Sequence, residues 1–186
     1  MSVRIARWRF TVDDFYRMLE AGILTEDDRV ELIDGEIIEM SPIGSRHAAC
    51  VMRLTLLLTE QLGRTAVVSL QNPLRLSTRT EPLPDVVVLK PRPDFYAESH
   101  PGPEDALLVV EISDTTLTYD RRVKLPKYAG AGIPEVWSVN LPKEIVEVYR
   151  RPDGGSYSEI AKANRGQTLE ATQLPALKVS LDDILG

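Results

Sequence analysis

Two stretches of the chain carry apolar residues at helical spacing and therefore predict helices. The first begins at Thr11, whose spacing to Asp14 is that of a helix capping box, and ends at Gly22. The second begins at a cap on Ser45 and runs to about position 62. Its predicted buried stripe consists of Val51, Leu54, Leu58 and Leu62, widened by Leu56 and Leu57.

Short apolar runs between turn residues predict a series of strands. The runs at 30–34 and 36–40 flank Asp34-Gly35, a pair typical of a type I′ hairpin turn. VVVL at 86–89 and LLVV at 107–110 are continuously apolar, which is the pattern of strands buried on both faces. Further strands are predicted at 67–70, 74–76 and 135–140, and as a hairpin around the PDGG sequence at 152–155.

The order of these elements predicts an α+β fold, with a mixed central sheet flanked by helices. A length of 186 residues favours a single domain over 1–186. Its expected parts are an N-terminal helix and hairpin (1–44), a core (about 45–140) and a C-terminal hairpin and tail (141–186) that completes the sheet or forms an oligomer contact. The Pro-rich segment 90–105 predicts a long loop. Loops of this length are uncommon, so the alternatives are a flap over a functional site, a dimer contact or a plain insertion.

Composition narrows the functional classes. The net charge of −6, from 22 basic and 28 acidic residues, argues against tight unassisted binding of nucleic acid. Arg75, Arg79, Arg121 and Arg122 could still form a local basic rim.

Cys50 lies in an apolar helical pattern and predicts a buried thiol, and two histidines cannot form a zinc cluster. Because no stretch approaches the roughly 20 apolar residues of a membrane span, we expect a cytoplasmic protein without a membrane partner.

The two most apolar strands each carry one acid. Asp85 precedes the first strand and Glu111 lies near the end of the second, so antiparallel pairing would bring the two carboxylates together at one edge of the sheet. Burying unpaired carboxylates costs several kcal/mol each unless a cation or hydrogen-bond donors compensate them. Magnesium is the simplest compensator, because it takes one or two carboxylates and keeps its other positions for water and phosphate oxygens. The sequence therefore predicts a Mg²⁺ or Mn²⁺ site.

These motifs resemble the PD-(D/E)XK nuclease superfamily, and the wider chain resembles its Uma2 branch (DUF820). The similar pieces are VELIDGEIIEMSP (30–42), PDVVVLK (84–90), VVEISDTT (109–116) and the run from Asp120 through KLPKYAGAGIPEVWSVN (124–140), which together span most of positions 10–140. The resemblance implies a restriction-endonuclease-like core of αβββαβ order. It also implies metal-dependent hydrolysis of nucleic-acid phosphodiester bonds, with DNA as the expected substrate.

The resemblance also implies roles for single residues. Asp85 and Glu111 would be metal ligands, and the Ile112 carbonyl would be a third. The lysine that the superfamily carries two positions after the second acid is replaced here by Ser113. In the Uma2 branch the following helix supplies that lysine, so Lys124 would orient or help deprotonate the attacking water. Glu31 is placed near the site by the same resemblance, and a solvated strand glutamate is the alternative from its residue type alone.

The further, auxiliary candidates are Asp120, Tyr128 and His47. Asp120, Lys124 and Tyr128 recur every four residues and would share one helical face, whose plain alternative is a surface ion pair. Ser113 to Thr116 offer caps for that helix. Pro126 removes one backbone donor within it. His47, in the first turn of the second helix, could reach a phosphate or a metal-bound water, or could simply cap the helix.

Two non-enzymatic readings remain open at this point. One is a binding module for nucleic acid or protein that keeps the nuclease scaffold, which the acidic net charge and Ser113 favour. The other is a structural homo-oligomer, a homodimer or larger, whose paired acids bind calcium or bridge to arginines. The joint presence of Asp85, Glu111 and Lys124 favours an enzyme, because two costly buried acids and a matched base have little use in an inactive scaffold.

Overall fold

The computed structural model describes residues 7–25 and 27–186. An N-terminal helix, α1 (Val12–Glu20), starts at the predicted capping box, in which the Thr11 and Asp14 side chains each bind the other residue's backbone N–H. Strands β1 (Val30–Ile33) and β2 (Glu36–Glu39) form the predicted hairpin. Both turn residues, Asp34 and Gly35, have positive φ angles of 51° and 74°, as a type I′ turn requires.

The second helix, α2 (Ser45–Leu62), differs from the prediction at its start and in its stripe. Gly44 occupies the N-cap position without a side-chain hydrogen bond, so Ser45 is the first helical residue and not the cap. The buried stripe is displaced by one position at its N-terminal end, and Leu56 is 58% exposed. The buried residues of α2 are Cys50, Leu54, Leu58 and Leu62.

In the described part of the chain, six strands form the mixed central sheet, in the order β3-β4-β5-β6-β7-β8. Strands β5 and β6 are parallel, and the other neighbours are antiparallel. The fold is therefore α+β, as the pattern predicted. The strands are β3 (Val67–Leu70), β4 (Val86–Leu89), β5 (Ala106–Ser113), β6 (Glu135–Asn140), β7 (Ile145–Asp153) and β8 (Ser156–Asn164).

Each face of the sheet has its own apolar cluster. On one face, Val86, Val110 and the fully buried Trp137 pack with the stripe of α2. On the other, Val87 and Val109 pack with Tyr128. Both faces of β4 and of the neighbouring part of β5 are covered, which explains the continuous hydrophobic runs at 86–89 and 107–110.

The C-terminal region contains elements that the sequence pattern did not reveal. Strands β9 (Thr168–Ala171) and β10 (Leu174–Ser180) form a separate hairpin, followed by helix α5 (Leu181–Leu185). Leu177 and Ile184 belong to the apolar cluster of α2, so β9, β10 and α5 cover that helix, whereas the predicted hairpin around 152–155, formed by β7 and β8, completes the central sheet. The predicted strand at 74–76 is absent, and an isolated bridge between Ser77 and Thr80 follows it.

The helix between β5 and β6 is interrupted by a π turn. Helices α3 (Leu117–Tyr119) and α4 (Leu125–Gly130) flank five residues, Asp120–Lys124, with π-helical bonding. The Leu125 N–H donates to the Asp120 carbonyl five residues earlier. Pro126 explains the local widening, because it cannot donate to the Arg122 carbonyl and its ring would clash there in a regular helix.

None of the helices in the two described ranges is both long and apolar enough to cross a lipid bilayer.

Candidate active site

A cavity of about 460 Å³ lies where β4 begins and β5 ends. The hairpin β1–β2, the segment 40–44 that follows it and the first turn of α2 form one wall, and segment 114–124 forms the other. The predicted site residues that line this cavity are Glu31, His47, Asp85, Glu111, Ile112, Asp120 and Lys124. Tyr128 lies behind it, in contact with Glu111.

Asp85 and Glu111 lie at the same edge of the sheet, as antiparallel pairing predicted. Val86 pairs with Val110, so the residue before β4 lies beside Glu111. The Ile112 N–H donates to Oδ2 of Asp85 at 2.8 Å, which fixes this carboxylate against the end of β5. Nε2 of His47 is 3.0 Å from Oδ1 of Asp85. The hydrogen bond to Asp85 raises the pKa of His47 against the opposing effect of burial.

Glu111 is almost fully buried at the base of the cavity. Its Oε1 accepts a hydrogen bond from the Tyr128 hydroxyl and lies 3.2 Å from Nζ of Lys124. Burial raises the pKa of Glu111 to about 8, although the Lys124 charge opposes the shift. The site therefore contains a carboxylate whose ionised form is costly without a further positive charge nearby.

The Lys124 ammonium points into the site, as predicted. Its Nζ is 3.2 Å from Oε1 of Glu111 and 3.2 Å from Oε2 of Glu31. Burial alone would lower the pKa of Lys124, but the carboxylates around it outweigh burial and raise the pKa. Glu31 is itself held by the Tyr119 hydroxyl at 2.9 Å and by the Leu83 N–H at 3.2 Å. Glu31 is thus a buried partner of Lys124 and not a solvated strand residue.

The π turn brings Asp120 and Lys124 into the same cavity. The Ser113 and Thr116 hydroxyls donate to Oδ2 of Asp120 at 2.7 and 2.8 Å. Thr116 occupies the N-cap position of α3 but makes no side-chain capping bond, because its hydroxyl, like that of Ser113, donates to Asp120. Burial raises the pKa of Asp120, and the bond from Ser113 opposes this shift.

The donor set at the cavity suits a hard divalent cation. Among the described residues, no group of three or more His, Cys, Asp or Glu side chains is arranged to hold a metal ion. Magnesium needs only one or two carboxylates and takes water or phosphate oxygens at its other positions. Asp85 and Glu111 supply two such carboxylates beside the Ile112 backbone. Because burial raises the pKa of Glu111, a cation beside it would favour its ionised form.

The local basic rim expected from the sequence is not found at this cavity. Of its four arginines, Arg75 is paired with Glu81 and Arg121 with Glu147. None of the four lines the cavity. The arginine at its wall is Arg29, whose guanidinium donates to the Ser41 carbonyl at 3.3 Å. The acidic residues of the chain therefore neutralise much of the basic surface that the sequence suggested.

Comparisons with known proteins agree with the fold and with the family resemblance. A family model described as "Uma2: Putative restriction endonuclease" matches residues 12–182. A crystal structure of "a putative nuclease belonging to DUF820" from Anabaena variabilis ATCC 29413 is similar over 95% of this chain and 97% of its own, with 18% identity and a TM-score of 0.70.

A second similar structure is that of the type IIG restriction endonuclease BpuSI. It shares 19% identity over 60% of this chain and 13% of its own, with a TM-score of 0.38. None of the curated proteins compared with the sequence is similar enough to count as a relative.

Proposed function

The chain belongs to the Uma2 family of restriction-endonuclease-like proteins, and on that premise we propose that it is a metal-dependent nuclease that hydrolyses phosphodiester bonds, with DNA as the expected substrate. One observation carries the proposal. Asp85, Glu111 and Lys124, which come from three different elements, meet in one cavity at the edge of the sheet. The arrangement supports a catalytic role, because burying several charged groups has a considerable cost.

Each residue has a definite part in the proposed reaction. Asp85 and Glu111 would hold the cation, together with the Ile112 carbonyl. Lys124 donates hydrogen bonds to the attacking water or to a phosphoryl oxygen, and Glu31 keeps its ammonium in place at 3.2 Å. Tyr119 and Tyr128 fix Glu31 and Glu111 through their hydroxyls, so that the charged groups need little rearrangement during the reaction.

A divalent cation at this site would supply Lewis-acid polarisation of the phosphodiester and stabilise the charge on the leaving oxygen. His47 and the Ile112 N–H position Asp85 through its two oxygens. Asp120 is held by the hydroxyls of Ser113 and Thr116, and its charge is among those that raise the pKa of Lys124 and so favour the ammonium form. The chain's own residues thus provide two carboxylate ligands, the positioned ammonium of Lys124 and the hydrogen bonds that hold these groups.

The experiment that tests the function is cleavage of single- and double-stranded DNA and RNA by the purified protein across a series of metal ions. We expect cleavage with millimolar Mg²⁺ or Mn²⁺, binding without cleavage in Ca²⁺, and neither binding nor cleavage in a chelator. Binding should weaken only gently with salt, because the salt dependence grows with the number of phosphates neutralised and this site offers only a few positive charges. Metal-independent cleavage would contradict the proposal. Binding of nucleic acid without cleavage in any metal would favour a binding module.

A further inference from the structure

The chemistry-bearing groups lie at the bottom of the cavity and not on an open surface. Asp85 is 8% exposed, Glu111 3% and Lys124 5%. A phosphodiester bond can therefore meet these groups only if part of the nucleic-acid backbone enters the cavity. The hairpin β1–β2 and the segment after it limit the entrance from one side.

The cavity has the size and lining of a pocket for a small group. Its volume of about 460 Å³ falls within the range of pockets that enclose small ligands. Ile38, Met40 and Ile43 give its outer wall apolar side chains, against which a base can pack. A duplex would have to extrude a nucleotide to reach the acids, which costs a few kcal/mol, whereas a single strand has no pairing to break.

The distribution of positive side chains also disfavours binding of a long duplex segment. Proteins that hold duplex DNA through its backbone use many lysine and arginine contacts to phosphates. Here several arginines are already paired with carboxylates, among them Arg46 with Asp114, Arg92 with Asp94 and Arg150 with Glu135. Arg29 and Lys124 are the arginine and lysine side chains at the cavity wall within the described residues. They can serve one or two phosphates but not a long duplex segment.

We propose that the cavity takes single-stranded nucleic acid, with one nucleotide inside it and the adjacent phosphate at Asp85, Glu111 and Lys124. The inference rests on the proposed nuclease function and adds its substrate class. The apolar wall, with Ile43 40% exposed, contacts the base. An apolar wall packs against the face of any base, so we expect this wall to select an unpaired nucleotide rather than a particular sequence.

The test is a comparison of one labelled oligonucleotide in single-stranded form and in a blunt duplex of the same sequence. Binding is measured by fluorescence anisotropy in Ca²⁺, and cleavage in Mg²⁺ and Mn²⁺. We expect the single strand to bind at least about tenfold more tightly than the duplex, since it avoids the cost of extrusion. Equal or tighter binding of the duplex, or no binding of either form, would overturn the inference.

A pair of variants tests whether the nucleotide occupies the cavity. Ile43→Glu places a charge in the apolar wall, whereas Ile23→Glu adds the same charge at a residue that is 71% exposed and outside the cavity. We expect Ile43→Glu to weaken single-strand binding about tenfold and Ile23→Glu to leave it close to that of the wild type. Equal binding by the two variants would show that the cavity is not the binding site and would overturn the inference.

The two proposals fail in different ways. Preferential binding of the single strand through Ile43, with no cleavage in any metal, would support the inference and contradict the nuclease function. Metal-dependent cleavage of duplex and single strand at equal rates would support the nuclease function and overturn the inference.

Discussion

Replacing Asp85 with asparagine is expected to lower the rate of metal-dependent cleavage at least about a hundredfold. Loss of a residue that only supports a metal ligand costs up to about a hundredfold, and loss of a ligand should cost no less. The change is nearly isosteric but removes one of two anionic ligands. The amide can still accept the hydrogen bond from the Ile112 N–H, which is 2.8 Å from Oδ2 in the wild type. The fold should therefore survive while the cation is held more weakly. Cleavage of labelled DNA in Mn²⁺ measures the effect.

Asp94→Asn is the matched control for this variant. Asp94 makes the same kind of ionic hydrogen bond, to Arg92, but lies outside the cavity. Its variant should cleave DNA at the wild-type rate. If Asp85→Asn retained that rate as well, the cleavage would come from another site or from a contaminating nuclease, and the proposed ligand role of Asp85 would be wrong.

Replacing Lys124 with methionine should lower turnover by about a hundredfold to a thousandfold, the range for loss of one positioned electrostatic group. Binding of Mn²⁺ should stay as tight as in the wild type or become tighter. The ammonium lies 3.2 Å from Glu111, and its removal ends its competition with the cation for that carboxylate. Single-turnover cleavage and calorimetric titration with Mn²⁺ separate the two effects.

Lys127→Met is the control for the lysine variant. Lys127 lies one turn further on, where it pairs with the half-exposed Asp34 at 2.6 Å and does not line the cavity. It should leave both turnover and Mn²⁺ binding unchanged. Thermal unfolding of both variants checks the fold, because removal of Lys124 leaves Glu31 and Glu111 without their buried cation. Wild-type turnover in Lys124→Met would show that this lysine forms only a structural ion pair.

The sequence predicted the parts of the fold that depend on local patterns. The helix cap at Thr11, the Asp34-Gly35 turn and the two buried strands each have a short-range signal, and the structure contains all of them. The edge of the sheet that holds Asp85 and Glu111 also followed, because antiparallel pairing places the start of one strand beside the end of the next.

The parts that the sequence did not reveal depend on contacts between distant segments. The β9–β10 hairpin is stabilised by packing on α2, and the alternation in β10 is interrupted by a bulge between Leu174 and Lys178. The bond between Tyr119 and Glu31 joins two segments with no common motif. Pro126 indicated an irregular helix. It did not indicate that the irregularity would be a π turn at Asp120–Lys124.

The most direct test of the account is a crystal structure of the protein soaked in Mn²⁺ and measured at a wavelength at which manganese scatters anomalously. The account predicts one strong anomalous peak between the carboxylates of Asp85 and Glu111, with oxygen distances of about 2.0 to 2.6 Å. A metal ion elsewhere, or no ion while Glu111 keeps only its contacts to Lys124 and Tyr128, would contradict it.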